Sequence, residues 1–315
     1  MRLLLTAFVA LVTMFLGPAR AQIAPNFTLL LDWFVNPDHG PIFVAQELGY
    51  FRDAGLVMEI VAPANPNDPP KLVAAKRGDV AISYQPALTL HAAEGLPLMR
   101  IATLVATPLN TLVALRDGPI RTLADLRGKR IGFSVGGFED ALLKAMLARA
   151  GLGLADVTLI NVNFSLSPAL LTGQVDAVIG AFRNFELNQL DLEGKPGRAF
   201  HPEENGVPSY DELILVAHRE RIGDPRLRRF VEAIERATLF MINDPTQAWA
   251  LFIRGRGDLD NELNRRAWRD TLPRFAHSPA ALDRARYARF ATFLKDQGLI
   301  KAEPRLDTYA VELPW

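Results

Sequence analysis

Cysteine is absent from all 315 residues. That removes disulfides, thiolate catalysis, cysteine-based zinc sites and a lipidated cysteine at an export cleavage point. An excess of one charge is missing too: 35 basic and 35 acidic side chains balance and are interspersed, so nothing resembles the electrostatic footprint of a nucleic-acid binder. The P-loop, H-E-x-x-H and the glycine fingerprint of dinucleotide folds are not found, and with G-x-S-x-G counted among the absent motifs no nucleophile is expected. Neither a cofactor nor a metal is expected, and a small molecule is the default partner.

Long apolar runs are confined to the start. Arg2 makes a minimal basic region, Leu3 to Leu16 an apolar stretch of 14 residues, and Ala19-Arg20-Ala21 an A-x-A cleavage site. The apolar stretch falls short of the ~20 residues that a spanning helix needs. The expectation is a signal peptide over 1–21, cleavage between Ala21 and Gln22, and a soluble monomer in the periplasm.

What is there is an α/β grammar, stated twice. Phe27 to Leu31 reads as a buried strand, Pro41 to Tyr50 as a helix with proline in its first turn, and Leu56 to Val61 as a second strand. A short helix from Pro70 to Arg77 and a third strand from Val80 to Tyr84 follow. The order recurs from Lys129 to Phe182: strand, Gly136-Gly137 turn, helix Phe138 to Ala150, strand Val157 to Val162, helix Pro168 to Thr172, strand Val175 to Phe182. The third strands share wording, KRGDVAISY against TGQVDAVIGAF. Recurrence at this length predicts two similar lobes, each a mostly parallel sheet flanked by helices.

Ile101 to Ala106 and Thr111 to Leu115, broken at Pro108, read as a crossover between the lobes, and Leu213 to Ala217 as the return strand. The expected division is 22–108 for the first part of lobe 1, 109–212 for lobe 2, and 213–315 for the return strand with C-terminal helices. Two crossovers make a hinge. In the tail, Asp224-Pro225, Asp244-Pro245 and Ser278-Pro279 each pair an N-cap residue with proline at the first helical position, predicting three helix starts. Leu227, Phe230, Val231, Ile234, Thr238 and Met241 predict one buried helical face, and Trp249, Phe252 and Trp268 are expected to pack rather than bind.

In open α/β sheets the crevice lies beyond the carboxyl ends of the strands. Four clusters fall there: Asp32-Trp33 with Asn36 and His39, Ser83-Tyr84-Gln85, Gly136-Gly137-Phe138-Glu139, and Arg183-Asn184-Phe185-Glu186. Aromatic faces stack on a flat ring, while carboxylates and amides choose among rings by their donors and acceptors. Asp32 either bonds backbone N–H groups in its turn or meets the ligand. His39 has a capping role or a ligand role. Glu139 and Asp140 already sit in the first helical turn after Gly136-Gly137, so phosphate, sulfonate and nitrate are disfavoured and a neutral or cationic ligand is preferred.

DWFVNPDHGPIFVAQELGYFRDAGL, the NPND loop, GDVAISYQPAL, KRIGFSVGGFED and VDAVIGAFRNFE together resemble the thiamin-pyrimidine branch of the periplasmic substrate-binding proteins, the ThiY-like receptors that deliver formylaminopyrimidine to an inner-membrane ABC permease. The likeness runs from about Phe27 to Ala217. It implies that Trp33 and Tyr84 stack on a pyrimidine and that Glu186 reads its amino edge, with Asn36, Gly137, Phe138 and Asn184 as further contacts. The superfamily also holds an iron-dependent thiamin pyrimidine synthase that consumes pyridoxal phosphate and one of its own histidines. That branch carries a cysteine-rich motif, and its lysine and histidine lie where this chain has Ser83, Tyr84, Gln85, Pro86 and Ala87, with His91 offset nearby. A flat flavin such as riboflavin is the other alternative ligand.

Overall fold

The computed structural model describes residues 26–313, and the expected signal peptide lies outside them. Ten strands form two five-stranded sheets. In chain order they are β1 (Phe27–Leu30), β2 (Met58–Val61), β3 (Val80–Ser83), β4 (Leu98–Val105), β5 (Asn110–Leu115), β6 (Arg130–Phe133), β7 (Thr158–Asn161), β8 (Ala177–Phe182), β9 (Gly197–Phe200) and β10 (Leu213–His218). The first sheet runs β2-β1-β3-β10-β4 and the second β7-β6-β8-β5-β9.

The repeat read from the sequence is a repeat of pairing. In each sheet three strands are parallel, and the strand that arrives by a crossover joins them antiparallel: β10 against β3, β5 against β8. The sheets are therefore mixed. The matched aspartates do the same job in both. Asp79 accepts the Thr28 N–H at 2.9 Å and Asp176 the Arg130 N–H at 2.8 Å, while each returns its own N–H to the same residue's carbonyl. Each one staples the start of the third strand to the start of the first.

Boundaries moved where tertiary bonds decide them. The first helix starts earlier than expected, at Gly40, after a 3-10 turn at Pro37–His39, and stops at Glu47. Gly49 takes a left-handed φ of 75° and a separate helix follows at Tyr50–Asp53. Helix Gln85–Ala93 and edge strand β9 had no counterpart in the sequence reading.

Two of the three proline-marked helix starts are present, with Asp224 and Asp244 accepting N–H groups as N-caps. The third is corrected: the helix begins at Arg284, capped by Asp283. The carbonyls of Pro279, Ala280 and Ala281 are instead claimed by the guanidinium of Arg100, buried in β4, and Pro279 also accepts the Thr103 N–H. Carbonyls committed to a neighbouring strand cannot begin a helical ladder. Leu227, Phe230, Val231, Ile234, Thr238 and Met241 form the buried face of helix Pro225–Asn243. Phe252 and Trp268 are buried, and Trp249 packs between them half-buried.

Candidate ligand-binding cleft

The carboxyl ends of β1 and β3 face those of β6 and β8 across a cleft between the lobes. On the first wall, Asp32 is the centre of a closed network. Its Oδ2 accepts the Tyr84 hydroxyl at 2.8 Å, and its Oδ1 lies 3.0 Å from His39 Nε2. The other ring nitrogen of His39, Nδ1, accepts the Asn36 N–H at 3.3 Å, so the neutral ring carries its proton on Nε2 and donates it to Asp32. Asn36 in turn accepts the Asp38 N–H at 2.8 Å. Asp32 thus holds side chains, not the turn's backbone, which corrects the quieter of its two readings; His39 has the capping role and also lines the cleft. Burial, then the Asp32 charge, pushes the Tyr84 phenol well above its usual range, so it remains a donor.

The second wall is built differently. Glu139, in the first turn of helix Phe138–Arg149, accepts the Ser134 N–H at 2.8 Å. Its carboxylate lies against Gly180, in the middle of β8 with φ 97°; a Cβ there would stand 2.6 Å from Glu139 Cδ. A glycine inside a strand pattern marks such an approach, and was the signal by which Glu139 could have been singled out. Glu186 opens helix Glu186–Leu192 and accepts the Phe182 N–H at 2.6 Å. Burial holds Glu139 well above the carboxylate range and lifts Glu186 to about 8. Asp38, also lining the cleft, is raised to about 6 by burial. Among the described residues no lysine or arginine lines this cleft.

The aromatic side chains pair across the lobes. Tyr84 stacks on Phe138 with centroids 4.8 Å apart and planes at 22°. Trp33 meets Phe164 edge-on at 4.6 Å, and Phe34 meets Phe185 at 5.8 Å. Among the described residues no ring contact joins Trp33 to Tyr84; each packs on an aromatic ring of the other lobe. The free space at the centre is about 30 Å³, room for about two waters. This is a shut cleft.

Hydrogen bonds between the lobes keep it shut. Asn67 donates to the Ser134 carbonyl at 3.1 Å and accepts the Gly136 N–H at 2.9 Å. Asn184 donates to Asp38 at 2.6 Å and to Thr271 at 2.6 Å. Asn184 therefore acts as a latch and does not line the cleft, and neither does Gly137, whose N–H goes to Asp140 at 3.2 Å. At the pivot, Glu212 accepts the N–H groups of Leu109 and Asn110 at 2.6 and 2.9 Å, tying one crossover to the other.

One motif was overlooked. Gly132-Phe133-Ser134-Val135-Gly136 spells G-x-S-x-G between a strand and a helix, the setting of a nucleophile elbow. The Ser134 hydroxyl donates to the Asn163 carbonyl, and no histidine bonds it among the described residues, so no activated nucleophile is assembled.

Two sheets joined by two crossovers around such a cleft define the two-lobe periplasmic-binding-protein fold. An alkanesulfonate-binding protein from Xanthomonas axonopodis pv. citri has the same fold, with a TM-score of 0.71, 18% identity, and 90% of this chain and 96% of that one covered. The chain belongs to the NMT1/THI5-like family, whose model matches residues 36–248. It is 52% identical over 289 residues to a candidate thiamine biosynthesis protein of Haemophilus influenzae, covering 91% of this chain and 92% of that one. To the formylaminopyrimidine-binding protein of Halalkalibacterium halodurans it is 34% identical over 238 residues, 75% and 72% of the two chains. Relatives at 26% to 28% identity are named 4-amino-5-hydroxymethyl-2-methylpyrimidine phosphate synthase. No helix among the described residues is long and apolar enough to cross a membrane, and none of their His, Asp and Glu side chains cluster as a metal site.

Proposed function

We propose that this chain is a non-enzymatic periplasmic receptor that closes on a thiamin-related pyrimidine, of the formylaminopyrimidine or hydroxymethylpyrimidine type, and delivers it to an ABC permease for salvage. The observation that carries this is a cleft with aromatic walls and buried carboxyls but no cationic side chain. A protonated carboxyl presents a donor beside an acceptor, and an aminopyrimidine edge presents a ring nitrogen beside an amino group. The two match as a bidentate pair, while a sulfonate or nitrate meets only acids. Trp33, Tyr84 and Phe138 supply the stacking surface, Glu186 and Glu139 the edge recognition, and Asp32, Asn36 and His39 hold Tyr84 and its loop in place. A wrong ring leaves a buried carboxyl unpaired, which gives selectivity.

Titration of the purified protein with formylaminopyrimidine is expected to give heat and tryptophan quenching at micromolar concentration. Neither signal, with riboflavin also silent, rejects the reading. The synthase alternative makes a separate demand: with pyridoxal phosphate and iron, intact-mass spectrometry must show one histidine converted. An unchanged mass is expected.

A further inference from the structure

The space at the centre of the closed cleft, about 30 Å³, is too small for a ring, so a ligand enters only when the lobes part about the crossovers. Closing then decides how the side chains between the lobes are solvated. Four carboxyls line the cleft, Asp32 and Asp38 from the first lobe, Glu139 and Glu186 from the second. None is more than 6% exposed. Two of them keep their partners however the lobes stand. Asp32 is held by Tyr84 and His39 of its own lobe. Glu139 is held by Ser134 and packs on Gly180, both of its own lobe, with Asp140, Glu212 and the Tyr84 phenol around it.

Asp38 and Glu186 are brought together by closing. Asp38 Oδ1 accepts the Thr271 hydroxyl at 2.8 Å within the first lobe and the Asn184 amide at 2.6 Å across the cleft. Asn184 stands two residues before Glu186, so the latch that joins the lobes carries one acid toward the other. Burial, with the Asp38 charge adding to it, lifts Glu186 to about 8, and burial lifts Asp38 to about 6. No cation offsets them. His39, on the same turn as Asp38, gives its proton to Asp32. Arg183, Arg269, Asp270 and Arg274 line a separate, open groove. Arg183 is committed to Glu203 at 2.7 and 3.1 Å and to the carbonyls of Leu109 and Asn110. Arg274 senses the Asp38 charge, but its Nε is bonded to the Asp270 carbonyl.

Resting on the reading above, we propose that closing of the lobes is coupled to proton uptake by Asp38 and Glu186, so that the receptor shuts at acid pH and opens, releasing its ligand, as the medium turns alkaline. Parting the lobes admits water to both acids and separates their charges, returning them toward their ordinary 3.8 and 4.5. Between those values and the closed-state ones, the closed form keeps protons that the open form has released. The preference for closing is therefore full below the ordinary values and fades as pH climbs toward about 8. From about pH 5.5 to about pH 7.5 the closing equilibrium drops about 100-fold. Asp38 protonated on Oδ2 still accepts at Oδ1, so the Asn184 latch survives the uptake.

The test has one arm without ligand and one with it. Small-angle X-ray scattering of the ligand-free chain is expected to show a compact particle at about pH 5.5 and a larger radius of gyration at about pH 8.5, along a reversible titration curve. Asp38→Asn combined with Glu186→Gln, which stand in for the protonated acids, keeps the compact radius to the alkaline end. Far-UV circular dichroism verifies folding, and the wild-type curve decides alone should the double variant not fold. In the second arm formylaminopyrimidine is titrated into both chains. The ligand's own titration is common to both, so it cancels in the ratio of wild-type to variant Kd, which is expected to rise about 100-fold from about pH 5.5 to about pH 7.5. A wild-type radius that does not grow with pH, or a ratio that does not move, overturns the proposal while the receptor reading stands. Absence of binding by wild type at every pH sinks the receptor reading itself, and the scattering arm still judges the coupling.

Discussion

The two walls of the cleft both carry buried acids, but in opposite condition. Asp32 on the first wall has two side-chain donors, the Tyr84 hydroxyl and His39 Nε2. Glu139 and Glu186 on the second accept backbone N–H groups and, among the described residues, no side-chain donor, and burial drives both upward. The acid of the first wall is engaged before any ligand arrives. The second wall has unused bonding capacity in a place too dry to ionise cheaply. A site assembled from a rigid platform and an unsatisfied reader spends little on ordering when it binds.

The widest separation between the walls should appear in stability. Asp32→Ala is expected to cost about 3 kcal/mol in denaturant melts, because a buried phenol and imidazole lose their acceptor together. Glu186→Gln should cost nothing there. If both variants melt alike, the distinction between the walls is lost. In binding the order reverses for the second wall: Glu186→Leu, which removes both the donor and the acceptor, should weaken a thiamin-type pyrimidine about 30-fold, from about 2 kcal/mol of paired hydrogen bonds, as calorimetry would read.

Proton linkage gives a third contrast. The folded-state value of Glu186, about 8, lies above its ordinary 4.5, so between these the native protein keeps a proton that the unfolded chain has released. Stability from this group is therefore undiminished below about pH 4.5 and falls as pH rises toward 8. Asp38 acts with the same sign between 3.8 and about 6. Melting temperature measured across this range should fall less steeply in Glu186→Gln than in wild type; parallel curves would remove the buried acid from the account.

The smallest effect compares the staples at the strand starts. Asp79 is mostly buried and meets Arg221 and Arg226, whereas Asp176 is about a third exposed and meets Arg130. Asn substitution is expected to cost about 1.5 kcal/mol at the first and about 0.5 kcal/mol at the second, in equilibrium unfolding. Equal losses would mean that only the backbone bond matters.

Much of this was open to reading from the chain because it is local. Short apolar runs ending at Asp, Gly or Pro gave β1, β3, β6 and β8, and their ends gave Trp33, Tyr84 and Glu186. What escaped depends on distant partners. Ser278-Pro279 has every local mark of a helix start, and loses to Arg100, which lies far earlier in the chain. Gly-Arg-Ala-Phe at β9 is a half-exposed edge strand with no alternation to announce it. Glu139 was placed in a crevice cluster and read as a charge repelling anions; its depth is set by the missing side chain at Gly180, on another strand. Asn184 sits at a strand end like any ligand contact, and only the opposing lobe shows that it latches onto Asp38.

The position of β10 has a consequence for how the chain is made. The second sheet draws all five strands from one continuous stretch, Asn110 to Phe200. The first cannot close until Leu213–His218 arrives, because that strand lies between β3 and β4 and bonds both. Synthesised from the N-terminus, the lobe begun first is completed last, with two strand edges waiting for a neighbour while the whole second sheet is made.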